Sequence, residues 1–338
     1  MTKRVDVAVV GATGAVGEAM VEILLERKFP IGNIHLLASE RSAGKRLPVG
    51  DRQVAVERLD QFDFSRVRLG LFSPGASVSA IYAPKAGQAG CVVVDNTSQF
   101  RQDADIPLIV PEVNLHRLAE HRHRNIIANP NCSTIQMVVA LKPIHDAVGI
   151  TRINVATYQA VSGAGGAGVR ELAGQTANLL NTRPIESQVM PVQIAFNAIP
   201  QIADFLDNGY TKEEMKMVHE TRKILEDERI QVNPTCVRIP VFYGHSEAVH
   251  IETREPISVA DAAALLRKAP GVTLMETGYP TPALDAAGTD PVFVGRLRKD
   301  ISHPNGLSMW VVSDNVRKGA ALNSVQIAEA LLAAGHLD

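Results

Sequence analysis

The stretch Val5-Asp6-Val7-Ala8-Val9-Val10-Gly11-Ala12-Thr13-Gly14-Ala15-Val16-Gly17 decides how this chain is read. An apolar run too continuous for a one-sided strand feeds a glycine-rich turn, and a helical pattern follows to about Arg27. A buried parallel strand opening into a helix has this form. Gly11 permits the tight turn, Gly14 lets backbone approach a pyrophosphate, and Gly17 lets the helix pack on the strand. Phosphates would rest on the first helical turn, at Thr13, Ala15 and Val16. The reading is a dinucleotide site at the start of a doubly wound sheet.

The next apolar segment, Asn33 to Ala38, refines the cofactor. It ends in Ser39-Glu40-Arg41-Ser42-Ala43-Gly44-Lys45. An acidic residue about 20 positions past the glycines holds the ribose 2′-OH in NAD-binding versions, and Glu40 could serve so. Arg41 with Ser39 and Ser42 suits a 2′-phosphate instead, with Lys45 adding positive potential. The expectation is NADP(H).

Further along, Val54 to Val56, Val67 to Phe72, Cys91 to Asp95, Leu108 to Val110 and Ile126 to Ala128 read as strands. A helix runs from about Ser77 to Ala89. Strands alternating with helices imply a parallel sheet wound on both faces, a Rossmann-type arrangement. From Arg152 the character changes to the alternation of an open-faced strand. Thr235 to Val241 and Glu247 to Glu252 are close enough in sequence to pair antiparallel. A second, α+β domain on a mixed or antiparallel sheet is expected. Residues 1–128 would bind nucleotide, completed by a C-terminal helix at 318–338, and residues 129–317 would form the other domain.

At that boundary stands Ala128-Asn129-Pro130-Asn131-Cys132-Ser133-Thr134-Ile135-Gln136. Asn131 is a good N-cap, so Cys132 falls in the first turn of a helix. Unpaired N–H groups and the helix dipole favour a thiolate there. A buried, inert cysteine is the alternative.

Composition bounds the function. The 338 residues suffice for two domains, and a net charge of −2 with 21% charged residues gives no bias toward nucleic acid or membrane. Aromatics at 4%, with Trp310 the single tryptophan, argue against base-stacking platforms. No apolar run has transmembrane length and no signal-peptide pattern opens the chain. Cys91, Cys132 and Cys236 are odd in number and widely spaced, which speaks against disulfides and for a cytoplasmic setting; no histidine joins them in a metal site.

Beyond these readings the chain resembles the aspartate-β-semialdehyde dehydrogenase family. The resemblance rests on Gly-Ala-Thr-Gly-Ala-Val-Gly at 11–17, Asn-Pro-Asn-Cys-Ser-Thr at 129–134, and Gln159 with Ser162-Gly163-Ala164-Gly165. Arg238-Ile239-Pro240-Val241, Gly244-His245-Ser246-Glu247 and Asp314-Asn315-Val316-Arg317-Lys318-Gly319-Ala320 extend it through the chain in the right order. It implies the architecture shared with glyceraldehyde-3-phosphate dehydrogenase. It also implies the NADP-dependent interconversion of L-aspartyl 4-phosphate and L-aspartate 4-semialdehyde, on the route to lysine, threonine, methionine and diaminopimelate.

Residue by residue, the resemblance implies that Cys132 is the nucleophile, His245 the acid/base group and Gln159 the orienting amide. Arg238 would grip the substrate α-carboxylate and Glu213 its α-ammonium. Lys216, Arg101 and Asn131 would serve the phosphate. Ser162 and Gly163 would lie near the nicotinamide, though a flexible hinge is another use for that glycine-rich segment. Glu213 and Lys216 share a helix face, so a plain surface salt bridge competes with their assigned roles. Partners would be the small substrate and inorganic phosphate, within a homodimer or tetramer. N-acetyl-γ-glutamyl-phosphate reductase and a non-catalytic paralogue are the alternatives. Residues 184–200 and 275–290 carry no motif.

Overall fold

The computed structural model describes residues 4–337. They divide into two compact units, one running to Pro130 and resuming at Ala320, the other Asn131–Gly319. The crossings fall slightly beyond the expected 128/129 and 317/318. Residues 1–3 and 338 of the expected first domain lie outside the described residues.

The first unit is built on a seven-stranded sheet. Its elements are β1 (Val5–Val10), α1 (Ala15–Glu26), β2 (Ile31–Ala38), β3 (Arg46–Val49), β4 (Arg52–Arg58), β5 (Leu69–Phe72), α2 (Ala76–Gln88), β6 (Val92–Asp95), α3 (Pro111–Asn114) and β7 (Ile126–Ala128). The order is β3-β4-β2-β1-β5-β6-β7, parallel throughout except for the β3/β4 hairpin. Sheet residues Val7, Val9, Leu36, Leu69, Leu71, Val94 and Ile127 are buried against helices, which is why these strands read as unbroken apolar runs. Strand order reverses at β1, so the crevice beyond the ends of β1, β2 and β5 is a topological switch point. Gly17 must be glycine: a methyl group there would come within 2.3 Å of the Gly11 carbonyl.

Leu108 to Val110, expected as a strand, makes only a single bridge, Leu108 to Ala128. The following Pro111 opens α3, and Asn114 takes over the local backbone groups, accepting from Val110 N at 2.9 Å and donating to Leu108 O at 2.8 Å.

In the second unit, α4 (Cys132–Val148) leads to β8 (Ile150–Gln159), α5 (Gly165–Leu180), α6 (Lys212–Leu225), β9 (Gln231–Arg238) and β10 (His245–Thr253). Then come α7 (Val259–Lys268), β11 (Val272–Met275), β12 (Val292–Lys299) and β13 (Gly306–Ser313). The sheet is mixed, ordered β11-β12-β13-β10-β8-β9. Its β8 alternates buried and partly open positions, as a strand covered on one face must.

The expected pairing of β9 with β10 is not found. Strand β8 lies between them, parallel to β9 and antiparallel to β10. The six residues from Ile239 to Gly244 therefore form a crossover rather than a hairpin. Strand β9 also ends at Arg238, earlier than expected, since Pro240 offers no N–H to a ladder.

The segments without a motif prove to be props. Glu171 of α5 accepts the N–H groups of Gln188, Val189 and Met190, and Gln175 accepts those of Ile194 and Ala195. Met190, Ile194 and Ile199 join Leu172 in a small core of their own. Between 275 and 290, Pro280 O accepts from Trp310 Nε1 at 3.0 Å, and Pro282 packs under Gly244. The chain returns to the first unit as α8 (Leu322–Ala333), which buries Val325, Ile327, Ala328 and Leu331 in that unit's core.

Candidate functional site

In the first unit the switch-point crevice is a cleft of about 470 Å³. Gly11, Thr13, Gly14, Ser39, Arg41 and Ser42, all expected to bind the cofactor, line it. No side chain caps α1, whose N-cap is Gly14, so the first-turn N–H groups of Ala15, Val16 and Gly17 lack a side-chain partner at that end. Glu40 also lines the cleft, but its carboxylate is ion-paired with Arg58, which in turn holds Asp60 at 2.8 Å. That engagement weakens the case for a ribose-binding glutamate. Lys45 is not among the lining residues, whereas Ser73, Pro74 and Tyr82 are, none of which the sequence flagged. Arg101 also belongs to this unit; it is buried, and its Nη2 donates to Asn96 O at 2.9 Å.

The second unit gathers the remaining polar candidates. Asn131 caps α4 as expected, its Oδ1 accepting from Ser133 N at 3.0 Å and Thr134 N at 3.2 Å. Such a cap contributes about 0.5–2 kcal/mol to its helix. It places half-buried Cys132 at the first helical position. Helix α6 holds Asn131 twice: Glu213 Oε1 accepts from its Nδ2 at 2.7 Å, and Glu220 Oε2 accepts from its backbone N at 2.6 Å. Glu213 Oε2 meets Lys216 Nζ at 2.9 Å. Burial by itself would raise the Glu213 carboxyl. The Lys216 charge and the two hydrogen bonds outweigh burial and hold it below its ordinary value.

Arg238 and His245 share one backbone residue. Arg238 Nη1 donates to Ala160 O at 2.7 Å, and Ala160 N donates to His245 Nδ1 at 3.0 Å. Because Nδ1 accepts, the neutral ring carries its proton on Nε2, and Nε2 has no partner. Burial first, and then the Arg238 charge, push the imidazole down to about 3. His245 is thus a neutral N–H donor across the working pH range. The Arg238 charge also acts on Cys132. A methyl group on Gly163 would fall 2.8 Å from Arg238 Nη1 and 3.5 Å from His245 Nε2, and one on Gly319 would fall 2.8 Å from Cys132 Cβ. Ser162 and Gly244 are both tied to Asn315, at 3.1 Å and 2.9 Å from its Oδ1. Gln159, buried at the end of β8, donates to Thr157 Oγ1 at 3.2 Å.

Sequence reasoning missed Glu220, Asn315 and the backbone of Ala160. Asn315 sits inside the quoted Asp314 to Ala320 motif and could have been found there. Ala160 acts only through its peptide groups and left no signal.

The cysteines differ sharply. Cys91 and Cys236 are fully buried; burial pushes the Cys91 thiol up to about 12 and raises that of Cys236 as well, with Glu213 adding to it. Iodoacetamide is expected to modify Cys132 far faster than either, and peptide mapping after a brief exposure at neutral pH checks this. Equal labelling of all three would remove the distinction.

A glycine turn over a switch-point crevice, carried with a helix-capped thiol on one chain, defines a Rossmann-type α/β oxidoreductase. Two family models match: the semialdehyde dehydrogenase NAD binding domain over residues 6–121, and the semialdehyde dehydrogenase dimerisation domain over residues 141–318. The aspartate-semialdehyde dehydrogenase of Shewanella violacea is 60% identical over 98% of this chain and 99% of its own. The structure of aspartate semialdehyde dehydrogenase II from Vibrio cholerae, complexed with ASA, superposes with a TM-score of 0.97 at 60% identity, over 98% of this chain and 99% of that one. A Candida albicans aspartate semialdehyde dehydrogenase solved with NADP gives 0.77 at 26% identity, over 97% and 98%. The chain belongs to the aspartate-semialdehyde dehydrogenase family. Among the described residues no helix is long and apolar enough to cross a membrane, and no cluster of histidine, cysteine and carboxylate side chains could hold a metal.

Proposed function

We propose that this chain catalyses the NADPH-dependent reductive dephosphorylation of L-aspartyl 4-phosphate to L-aspartate 4-semialdehyde, through an acyl-thioester on Cys132. The observation that carries the reading is the Asn131-capped first turn. It presents a half-buried thiol to a helix N-terminus, under the charge of Arg238 and within one unit with the Nε2 donor of His245.

The chain's own groups account for most of the chemistry. Cys132 Sγ attacks C4 of the acyl phosphate, the bond from C4 to the phosphate oxygen breaks, and phosphate leaves with the electron pair. His245, expected as the acid/base group, acts in this reading through its neutral Nε2–H, which donates to the carbonyl oxygen as negative charge develops on it. NADPH, when bound, supplies the hydride that reduces the thioester. Breaking the carbon–sulfur bond then releases the aldehyde and returns the thiolate, while phosphate takes up a proton from solvent. Gln159 orients the acyl group. Arg238 forks onto the α-carboxylate, and Glu213 receives the α-ammonium on lone pairs its present partners leave open. Lys216, Asn131 and Arg101 are assigned to the phosphate.

The first unit, with α8, is the NADP-binding domain in this reading. Gly11 to Gly17 would hold the pyrophosphate, and Ser39, Arg41 and Ser42 the 2′-phosphate. The lining of the cleft and the pairing of Glu40 with Arg58 support that assignment. Ser162 and Gly163 are assigned to the nicotinamide end. Replacing Arg41 by Ala should weaken NADP⁺ binding far more than NAD⁺ binding; titration calorimetry with both coenzymes decides, and equal losses would refute the 2′-phosphate role.

Residues 131–319 form the catalytic and dimerisation domain of a homodimer. The dimerisation-domain match and exposed apolar side chains such as Val192, Phe196, Phe205 and Tyr279 support this. Sedimentation would separate dimer from tetramer and from monomer. Three free cysteines suit a cytoplasmic protein.

The deciding assay follows phosphate-dependent reduction of NADP⁺ by L-aspartate semialdehyde, with N-acetyl-glutamate semialdehyde and NAD⁺ as comparators. Turnover that requires phosphate and the aspartyl aldehyde supports reaction and substrate together. Preference for the acetylated aldehyde would sink the substrate assignment.

A further inference from the structure

Beneath the first turn of α4 the second unit buries a set of polar atoms without partners. Glu247 lies on β10 two residues past His245, on the same face of the strand. It is 0% exposed, and neither carboxyl oxygen is hydrogen-bonded. Ser133 and Gln136 face it from α4, three positions apart and so on one side of the helix. Both are fully buried, and Ser133 Oγ and Gln136 Oε1 also lack partners. The Gln136 amide nitrogen directs one of its two N–H groups to His245 O at 3.5 Å, leaving the second for another acceptor.

Donors and acceptors decide the state of this cluster. With a carboxylate at 247, its two oxygens can take the Ser133 hydroxyl and the second Gln136 N–H, but Gln136 Oε1 is left without a donor. A carboxylic acid closes the set: its O–H donates to Gln136 Oε1, and its carbonyl accepts from Ser133. The groups that oppose burial at Glu247 are neutral Ser133 and Gln136. Of the buried cations in this unit, Arg238 acts on His245 and Cys132, and neither it nor Lys318 is bonded to a Glu247 oxygen. Burying an unpaired carboxylate costs far more than burying the acid. Burial accordingly pushes the Glu247 carboxyl well above its ordinary value.

We propose that Glu247 is held as a neutral carboxylic acid and is a positioning residue for Cys132, fixing the first turn of α4 through Ser133 and Gln136. Its neutrality serves the thiol as well, because a carboxylate behind that turn would oppose a thiolate in front of it. The inference rests on Cys132 being the nucleophile, but its first test does not.

That test is an infrared difference spectrum at neutral pH between the native protein and Glu247→Gln. The expected result is loss of a carboxylic-acid carbonyl band on substitution; loss of carboxylate bands instead overturns the proposal. The second test is kinetic. Glu247→Gln, neutral and able to donate and accept, should keep kcat near the parent value and the same pH dependence of Cys132 alkylation. Glu247→Leu leaves Ser133 and Gln136 unpaired. It should lower kcat about 10- to 100-fold with KM little moved, and displace the pH midpoint of alkylation. A Gln variant as impaired as the Leu variant overturns positioning by the acid. Should Glu247→Leu fail to fold, the infrared band and the Gln variant still decide. A carboxylic-acid band in a native protein without turnover would count against the catalytic reading alone.

Discussion

Cys132→Ala is expected to abolish turnover while NADP⁺ binding stays nearly unchanged. Every covalent step proposed runs through Sγ, and neither Cys91 nor Cys236 can substitute, since both are buried with raised thiols. Losing the nucleophile of a covalent mechanism lowers kcat on the order of 10⁴- to 10⁶-fold. The substitution deletes one half-buried atom and leaves the Asn131 cap intact, so stability should scarcely move. Single-turnover kinetics with fluorescence titration of NADP⁺ separate the two effects. Residual turnover within tenfold of the parent (about 1.4 kcal/mol in the barrier) would remove Cys132 from the mechanism.

His245→Asn should lower kcat by about 10²–10³-fold, the usual cost of losing one preorganised donor at a developing oxyanion. The shorter amide can still meet the Ala160 N–H but gives up the donor at the Nε2 position. The pH profile adds a sharper check. An ordinary histidine protonates near pH 6.5, whereas here burial and Arg238 hold the folded ring neutral down to about 3. The parent's kcat/KM should therefore show no falling limb near pH 6.5 that disappears in the variant. A limb there, lost on substitution, would show that His245 titrates as an ordinary base and contradict its being held neutral by burial and Arg238.

Much of this was legible in the sequence because local chemistry dictates it. The run from Val5 to Gly17 fixes strand, turn and helix by its own burial and backbone demands. Asn131 and Cys132 are likewise read from the capping preference alone, and the structure places both as expected. What stayed hidden is what depends on spatial neighbours. Nothing in Gln231 to Thr253 says that β8 will insert between two strands so close in sequence. Ala160 organises Arg238 and His245 through its peptide N–H and C=O, which every residue but proline possesses. Glu220 reads as an ordinary helical glutamate until α6 is seen to bring it to the backbone of Asn131.

The double hold of α6 on Asn131 has a consequence in time. The partners are 82 and 89 positions from Asn131 in the chain, so the start of the helix that carries Cys132 is completed by one of the later contacts to form. Until residues 213 and 220 have docked, the helix end that carries Cys132 lacks both of these holds. Reactivity therefore arrives with tertiary structure, and in refolding experiments fast alkylation should appear only with the docking of α6. A cell would gain from that order, since an unfinished chain exposes no activated sulfur to oxidants or stray electrophiles.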